Sequence, residues 1–314
     1  MNFNMHSRWL LSALALLLSI GLAACTTATT QQLQPKVADS VDRAINSQES
    51  PKKEVKRVVA LTSLSADIIS QLDQTKIVGI TGSRLFKDDP RFKDIPRVSE
   101  GQNPPNLEKI VALKPDLVIG AEGFSDVPIQ KLKQLGISTL LTKVNKWESL
   151  TELTTTLAQS IGADPQSLLN RYKTFLPDNP NQSPSALVLV SRQPILAPNK
   201  NSWAGDLLEK FQVKNLAAEL QGKSSIGGYI TLSAEKVLEA NPEVIILVNP
   251  PQGNSQAELL DSFKKEAFWK QLEATKNNRV YVFDYFGLVN PGSINAIEKA
   301  CQQLKQDLFA VEKT

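Results

Sequence analysis

The chain has 314 residues, 41% of them hydrophobic, and a formal net charge of +3. That length accommodates two domains of ordinary size, and each half can bury a core. So mild a charge, with no outstanding run of Lys or Arg, gives no sign of nucleic-acid binding.

Residues 1–24 read as a signal peptide: Arg8 supplies the positive charge and Trp9 to Leu22 an apolar core of the right length. Leu22-Ala23-Ala24-Cys25 follows and resembles the bacterial lipobox, whose cysteine takes lipid and becomes the new N-terminus. Lipid on Cys25 would hold the protein at a membrane surface without spanning it. Cleavage removes His6, the only histidine, so the mature chain has no Ser-His-Asp or Cys-His arrangement and no histidine cluster for zinc. Cys301 is then the only cysteine besides Cys25; its apolar helical context reads as burial. Residues 25–56 are rich in Thr, Gln, Ser, Lys and Asp, and read as a flexible, lipid-anchored tether. About 30 residues of coil span roughly 30 Å.

An α/β lobe is expected over 57–145. Val58 to Leu61 is a buried strand, Ser63 or Ser65 caps a helix to Leu72, and Ile77 to Ile80 is a second strand. A long loop, 81–105, leads to a short helix and the strand Leu117 to Gly120. A helix over 127–135, stopped by Gly136, and a strand over 137–141 complete the unit. Strands alternating with helices imply a mostly parallel sheet covered on both faces.

Residues 146–183 read as a connecting helix and linker, with Leu150, Leu153, Leu157 and Ile161 on one stripe. Trp147, at its start, reads as structural. Gly162 to Pro165 either kinks this helix or divides it. A second lobe is expected over 184–314. It has strands at 186–190, 244–248 and 280–283, a helix from Ser202 to Phe211, an irregular stretch over 214–220, a Gly-bearing loop over 221–228 and a terminal helix over 293–311. The fold class is α/β: two similar lobes, each with a central mostly parallel sheet flanked by helices, joined by one long backbone helix.

One stretch occurs twice. Asn106-Leu107-Glu108-Lys109 opens a helix that Pro115 ends, with Asp116 and an apolar strand behind it. Ser233-Ala234-Glu235-Lys236 opens another that Pro242 ends, with Glu243 and a second apolar strand. The matched spacing suggests two halves built alike.

This repeat, with Gly136-Ile137, Asn215-Leu216-Ala217, the run from Phe268-Trp269 to Val280-Tyr281, and Pro291-Gly292, resembles the substrate-binding proteins of bacterial ABC importers for ferric siderophores, haem and cobalamin. The likeness covers about Arg57 to Ala310. It implies two small α/β lobes with ligand in the cleft between them, and one glutamate on each lobe that meets arginines of the permease. Those glutamates map onto Glu108 and Glu235. Each also stands in the first turn of a helix, where the dipole favours a carboxylate whether or not a partner binds it. The implied partners are an ABC permease and its ATPase, a small-molecule chelate, and the membrane. A monomer on the outer side of the cytoplasmic membrane is expected, with no cofactor of its own.

Loops after the strands should wall such a cleft. Candidates are Ser63, Arg84 and Phe124 in the first lobe, and Arg192, Trp203, Tyr229, Tyr285 and Phe286 in the second. Arginines would take anionic oxygens of a chelate, and aromatics would stack on its frame. Arg84 and Arg192 read equally well as solvated loop residues, and Trp203 as packing on the sheet. Without histidine, a prechelated iron fits best, because it needs no protein ligand to the metal. A ferric siderophore is the first expectation, with cobalamin or haem second. An enzyme is disfavoured, since the chain has neither a G-x-G-x-x-G fingerprint nor a Walker-type loop. A two-lobed envelope protein without transport activity is the other alternative.

Overall fold

The computed structural model describes residues 54–100, 103–178, 184–220, 224–253, 255–265 and 267–309. The signal peptide, Cys25 and nearly all of the tether lie outside the described residues.

The first sheet is built from β1 (Val58–Ala60), β2 (Ile77–Ile80), β3 (Leu117–Ala121) and β4 (Thr139–Thr142). Its order is β2-β1-β3-β4 and every pairing is parallel. Helices α1 (Ser63–Asp73), α2 (Leu107–Ala112) and α3 (Asp126–Gln134) connect the strands. Thr62, not Ser63 or Ser65, caps α1: its hydroxyl accepts from the Ser65 N–H at 3.1 Å. Ser63 is therefore the first helical residue, one place too late to cap.

The chain then runs through α4 (Trp147–Ile161) and α5 (Gln166–Lys173). Of the two readings of Gly162 to Pro165, the structure takes the division: Gly162 adopts a left-handed φ of 72° and ends α4. Fifteen residues make α4 about 22 Å long. The pair stays coupled through the Tyr172 hydroxyl, 3.0 Å from Thr154 Oγ1.

Beyond it come β5 (Ser185–Leu189), β6 (Ser191–Arg192), β7 (Ile195–Pro198), α6 (Trp203–Lys210), β8 (Lys214–Asn215), β9 (Tyr229–Leu232), α7 (Ala234–Ala240), β10 (Val244–Asn249), α8 (Gln256–Lys265), α9 (Glu273–Lys276), β11 (Val280–Asp284), α10 (Tyr285–Leu288) and α11 (Ile294–Phe309). The second parallel sheet has the order β8-β5-β10-β11. In both sheets the strand order, counted along the chain, is second, first, third, fourth. An antiparallel sheet, β6-β7-β9, is added in the second half only. The sequence shows no sign of it, since the hairpin from Ser191 to Pro198 carries two prolines and no clean alternation.

The repeat is real down to single hydrogen bonds. In the first copy, Asp116 Oδ2 accepts from the N–H groups of Lys56 and Arg57 at 3.0 and 3.1 Å, just before β1. In the second, Glu243 Oε2 accepts from Ser185 N and Oγ at 2.6 and 2.9 Å, at the start of β5. The residue before each proline is left-handed: Lys114 has φ 46° and Asn241 φ 38°. Each copy thus turns off its helix, enters the third strand, and uses its acid to hold the start of the first.

One apolar cluster runs through both halves, from Val58 and Ile68 through Leu150 and Leu157 to Val188, Leu207 and Ile297. Two buried aspartates fix how the halves meet. Asp206, on α6, accepts from the Trp147 N–H at 2.7 Å and caps the start of α4. Asp67, on α1, accepts from the Ile294 N–H at 2.7 Å and caps the start of α11. Helices α1 and α6 hold equivalent places in the two lobes, and α4 and α11 each follow a lobe's last strand. Each lobe therefore caps the helix that leaves the other. Burial raises the Asp206 carboxyl, and the Trp147 N–H opposes that rise. Asp67 also takes a hydrogen bond from Gln71 and an ion-pair contact of 2.8 Å to Arg91, which is not aligned as a hydrogen bond.

Asp67→Ala is expected to cost about 3 kcal/mol, the scale for losing charged hydrogen bonds in a buried site, whereas Asp67→Asn, which retains an acceptor, costs less. Chemical denaturation checks this; an unchanged midpoint for the alanine variant contradicts it.

Candidate functional site

Parallel strands put the loops at their carboxyl ends on one edge of each sheet. Arg84 follows β2, and the loop 122–125 follows β3. In the other lobe Arg192 follows β5, Pro250 and Pro251 follow β10, and Tyr285 and Phe286 follow β11. The two edges meet at Arg84. Its Nη1 donates to the Pro251 carbonyl at 2.5 Å, and its Nη2 lies 3.2 Å from Asp284 Oδ1. Its guanidinium carbon stands 5.0 Å from the Phe286 ring centroid.

An aromatic run continues from there. The Tyr285 ring meets Phe286 edge-on, with centroids 5.5 Å apart. Burial pushes the Tyr229 phenol up to about 12, with neighbouring Tyr285 adding to the rise. All three rings are half-buried, so each keeps some exposed surface. The structure thus brings together Tyr229, Tyr285, Phe286 and Arg84.

The other candidates are placed differently. Trp203 is 3% exposed; its ring stacks on Trp147 at 6.0 Å and its Nε1–H donates to the Gly287 carbonyl at 2.7 Å. With its ring buried and its polar edge bonded, Trp203 belongs to the core and not to a cleft wall. Arg192 lies on the β6 edge and donates to Ser262 Oγ on α8 at 3.0 Å. Ser63 is half-buried at the start of α1. Phe124 is 90% exposed on the loop after β3, with Val127 also exposed one turn on. Sequence reasoning missed Asp284 and Pro251. Asp284 also caps the turn that follows it, accepting from the Phe286 N–H at 2.9 Å.

An open depression of about 560 Å³ is lined by Arg84, Leu85, Asp88, Asp89, Pro90, Arg91 and Asn295. It contains none of the aromatic candidates. Among the described residues, no group of three or more His, Cys, Asp or Glu side chains is placed to hold a metal ion.

Glu108 and Glu235 occupy equivalent points of the repeat. Both are exposed, each in second place on its helix, behind the caps Asn106 and Ser233. Asn106 Oδ1 accepts from the Lys109 N–H at 2.9 Å and Ser233 Oγ from the Lys236 N–H at 3.3 Å. The Glu235 carboxyl is held below the usual range by its own backbone N–H and by the Ser233 hydroxyl.

Two lobes of one topology, meeting at the carboxyl edges of their sheets over an aromatic run, define a two-lobed binding protein. Residues 58–285 match the family model described as periplasmic binding protein, and the chain belongs to that family, whose members bind substrates and are not enzymes. An ABC transporter substrate-binding lipoprotein of Bacillus subtilis strain 168, YvrC, is 26% identical over 294 residues, 86% of each chain. The high-affinity heme uptake system protein IsdE of Staphylococcus aureus strain MRSA252 is 29% identical over 283 residues, 85% of this chain and 92% of that one. Among solved structures, a possible iron-binding periplasmic solute-binding protein of Staphylococcus epidermidis ATCC 12228 superposes with a TM-score of 0.67 at 21% identity. It covers 82% of this chain and 100% of its own, and shows the same fold.

A spectrophotometric titration of the folded protein is expected to show phenols that ionise only near pH 12, since burial also pushes Tyr172 up to about 12. Tyr229→Phe should remove one phenol from this late group. If it instead removes one that ionises at the ordinary value, Tyr229 is not enclosed as described.

Proposed function

We propose that this protein is the substrate-binding component of an ABC importer, capturing an iron chelate between its lobes and delivering it to the permease. The observation that carries this reading is the run Tyr229, Tyr285, Phe286 and Arg84 at the edge where the lobes meet. Half-buried rings with one cation beside them suit an organic frame that bears oxygen donors. A ferric siderophore is the favoured ligand because the chelate satisfies the iron by itself. Haem is the second reading, favoured by the likeness to IsdE and by the same half-buried rings.

Glu108 and Glu235 are the proposed contacts to the permease. They are exposed, alike in setting, and carried on lobes of one design, so they offer two acids in a fixed relation. Such acids pair with arginine, and they set register and encounter rate more than total affinity. Cys25 is the proposed lipid attachment, which would keep the protein on the outer face of the membrane. No helix among the described residues is long and apolar enough to cross a membrane.

Equilibrium dialysis against ferric siderophores, haem and cobalamin tests the ligand. Saturable binding of a ferric siderophore is expected, and Phe286→Ala should weaken it. Glu108→Ala and Glu235→Ala should leave that binding unchanged and reduce uptake by reconstituted transporter. Uptake untouched by the double variant would remove the docking role, and failure of every chelate to bind would favour a non-transport role in the envelope.

A further inference from the structure

The seat around Arg84 has more partners than a vacant anion receptor would have. Besides the Pro251 carbonyl at 2.5 Å, Nη2 lies 3.2 and 3.4 Å from the two oxygens of Asp284, and the guanidinium covers one face of Phe286. Gly292 fixes the Phe286 ring as well: any Cβ at that position would collide with it and with Leu85. Pro251 and Asp284 come from neighbouring strands, since Asn249 at the end of β10 is in register with Asp284 at the end of β11. The second lobe thus presents a carbonyl, a carboxylate and a ring, all aimed at one side chain of the first lobe.

A guanidinium so placed already has its counterion. Anionic oxygens on a ligand meet a cation that Asp284 already neutralises and must compete with that carboxylate for it, and a neutral ligand need not. The pair is also exchangeable, because the Arg84 and Asp284 side chains remain 43% and 45% exposed. Charge pairs of such exposure are weak. We infer that Asp284 is the charge-selecting residue of the cleft: it is an internal counterion that Arg84 exchanges for an anionic group of the ligand. Asp284 therefore lowers the advantage of negatively charged chelates over neutral ones. Specificity is a difference between two affinities, and a built-in competitor acts on only one of them. The inference rests on the interlobe binding proposed above and specifies the charge class of the ligand.

Asp284→Asn tests it, because the amide oxygen can still cap the Phe286 N–H while the charge is gone. Binding is measured by equilibrium dialysis with two probes, anionic ferric citrate and ferrichrome, a neutral ferric hydroxamate. Affinity for ferric citrate is expected to rise roughly two- to fivefold, the range for one partly exposed charge pair, with ferrichrome unchanged. Adding Arg84→Gln should abolish that gain, a coupling that general loosening of the loop would not produce. Thermal unfolding confirms that each variant is folded, and Arg84→Gln alone approaches the pair from the other side by selectively weakening ferric citrate. If the wild type binds either chelate but Asp284→Asn leaves ferric citrate unchanged or weaker, or the gain survives in the double variant, charge selection by Asp284 is overturned while the binding reading stands. If no form binds either chelate, the interlobe reading fails for these chelates and charge selection fails with it.

Discussion

Reciprocal capping by two buried carboxylates is the constraint on which the arrangement of the lobes depends. A helix entering a protein core leaves its first N–H groups without partners, and leaving them unpaired in the interior is costly. Here the missing acceptor for α4 comes from Asp206 and that for α11 from Asp67, each supplied by the opposite lobe. Neither lobe can withdraw without exposing the start of a helix that belongs to the other. Apolar packing through α4 and α5 adds area to this joint, but area alone has no direction. The two hydrogen bonds give the joint its register, and so determine which loops face each other at the far side.

That register makes the site more than a set of loops. Arg84 reaches the ends of β10 and β11 because the two sheets are held with their carboxyl edges together. A substrate entering there would meet half-buried rings and a cation already engaged by protein. Helices rather than loops span the lobes, an arrangement suited to small adjustments of side chains and loops. The exposed acids Glu108 and Glu235 belong to the same logic. They lie on helices that the repeat places alike, and the repeat's second acid, Asp116 or Glu243, fastens each helix-and-strand unit to the first strand of its sheet.

Much of this was legible in the chain. Short β-rich runs such as Val58-Val59-Ala60 and Val244 to Val248 specify buried parallel strands, and the doubled segment predicted equivalent halves. Gly162 was recognisable as a break because a left-handed residue suits the end of a helix. Other features were hidden for physical reasons. The β6-β7-β9 sheet is too short and too rich in proline to produce a period. Trp203 follows a capping serine in a loop-like setting, and only the tertiary fold shows that its indole faces Trp147 and Gly287. Asp284 is invisible as a partner of Arg84 because the two are 200 positions apart and nothing local links them. Asp67 and Asp206 look like ordinary helix acids until the opposite lobe is in place.

The most direct measurement of the central claim is an anomalous-difference map at the iron edge, from a crystal of the protein grown with a ferric siderophore. The account predicts a single strong peak between the carboxyl edges of the two parallel sheets, bordered by Tyr229, Tyr285, Phe286 and Arg84. A peak remote from these four residues, on the outer surface of one lobe, would contradict it.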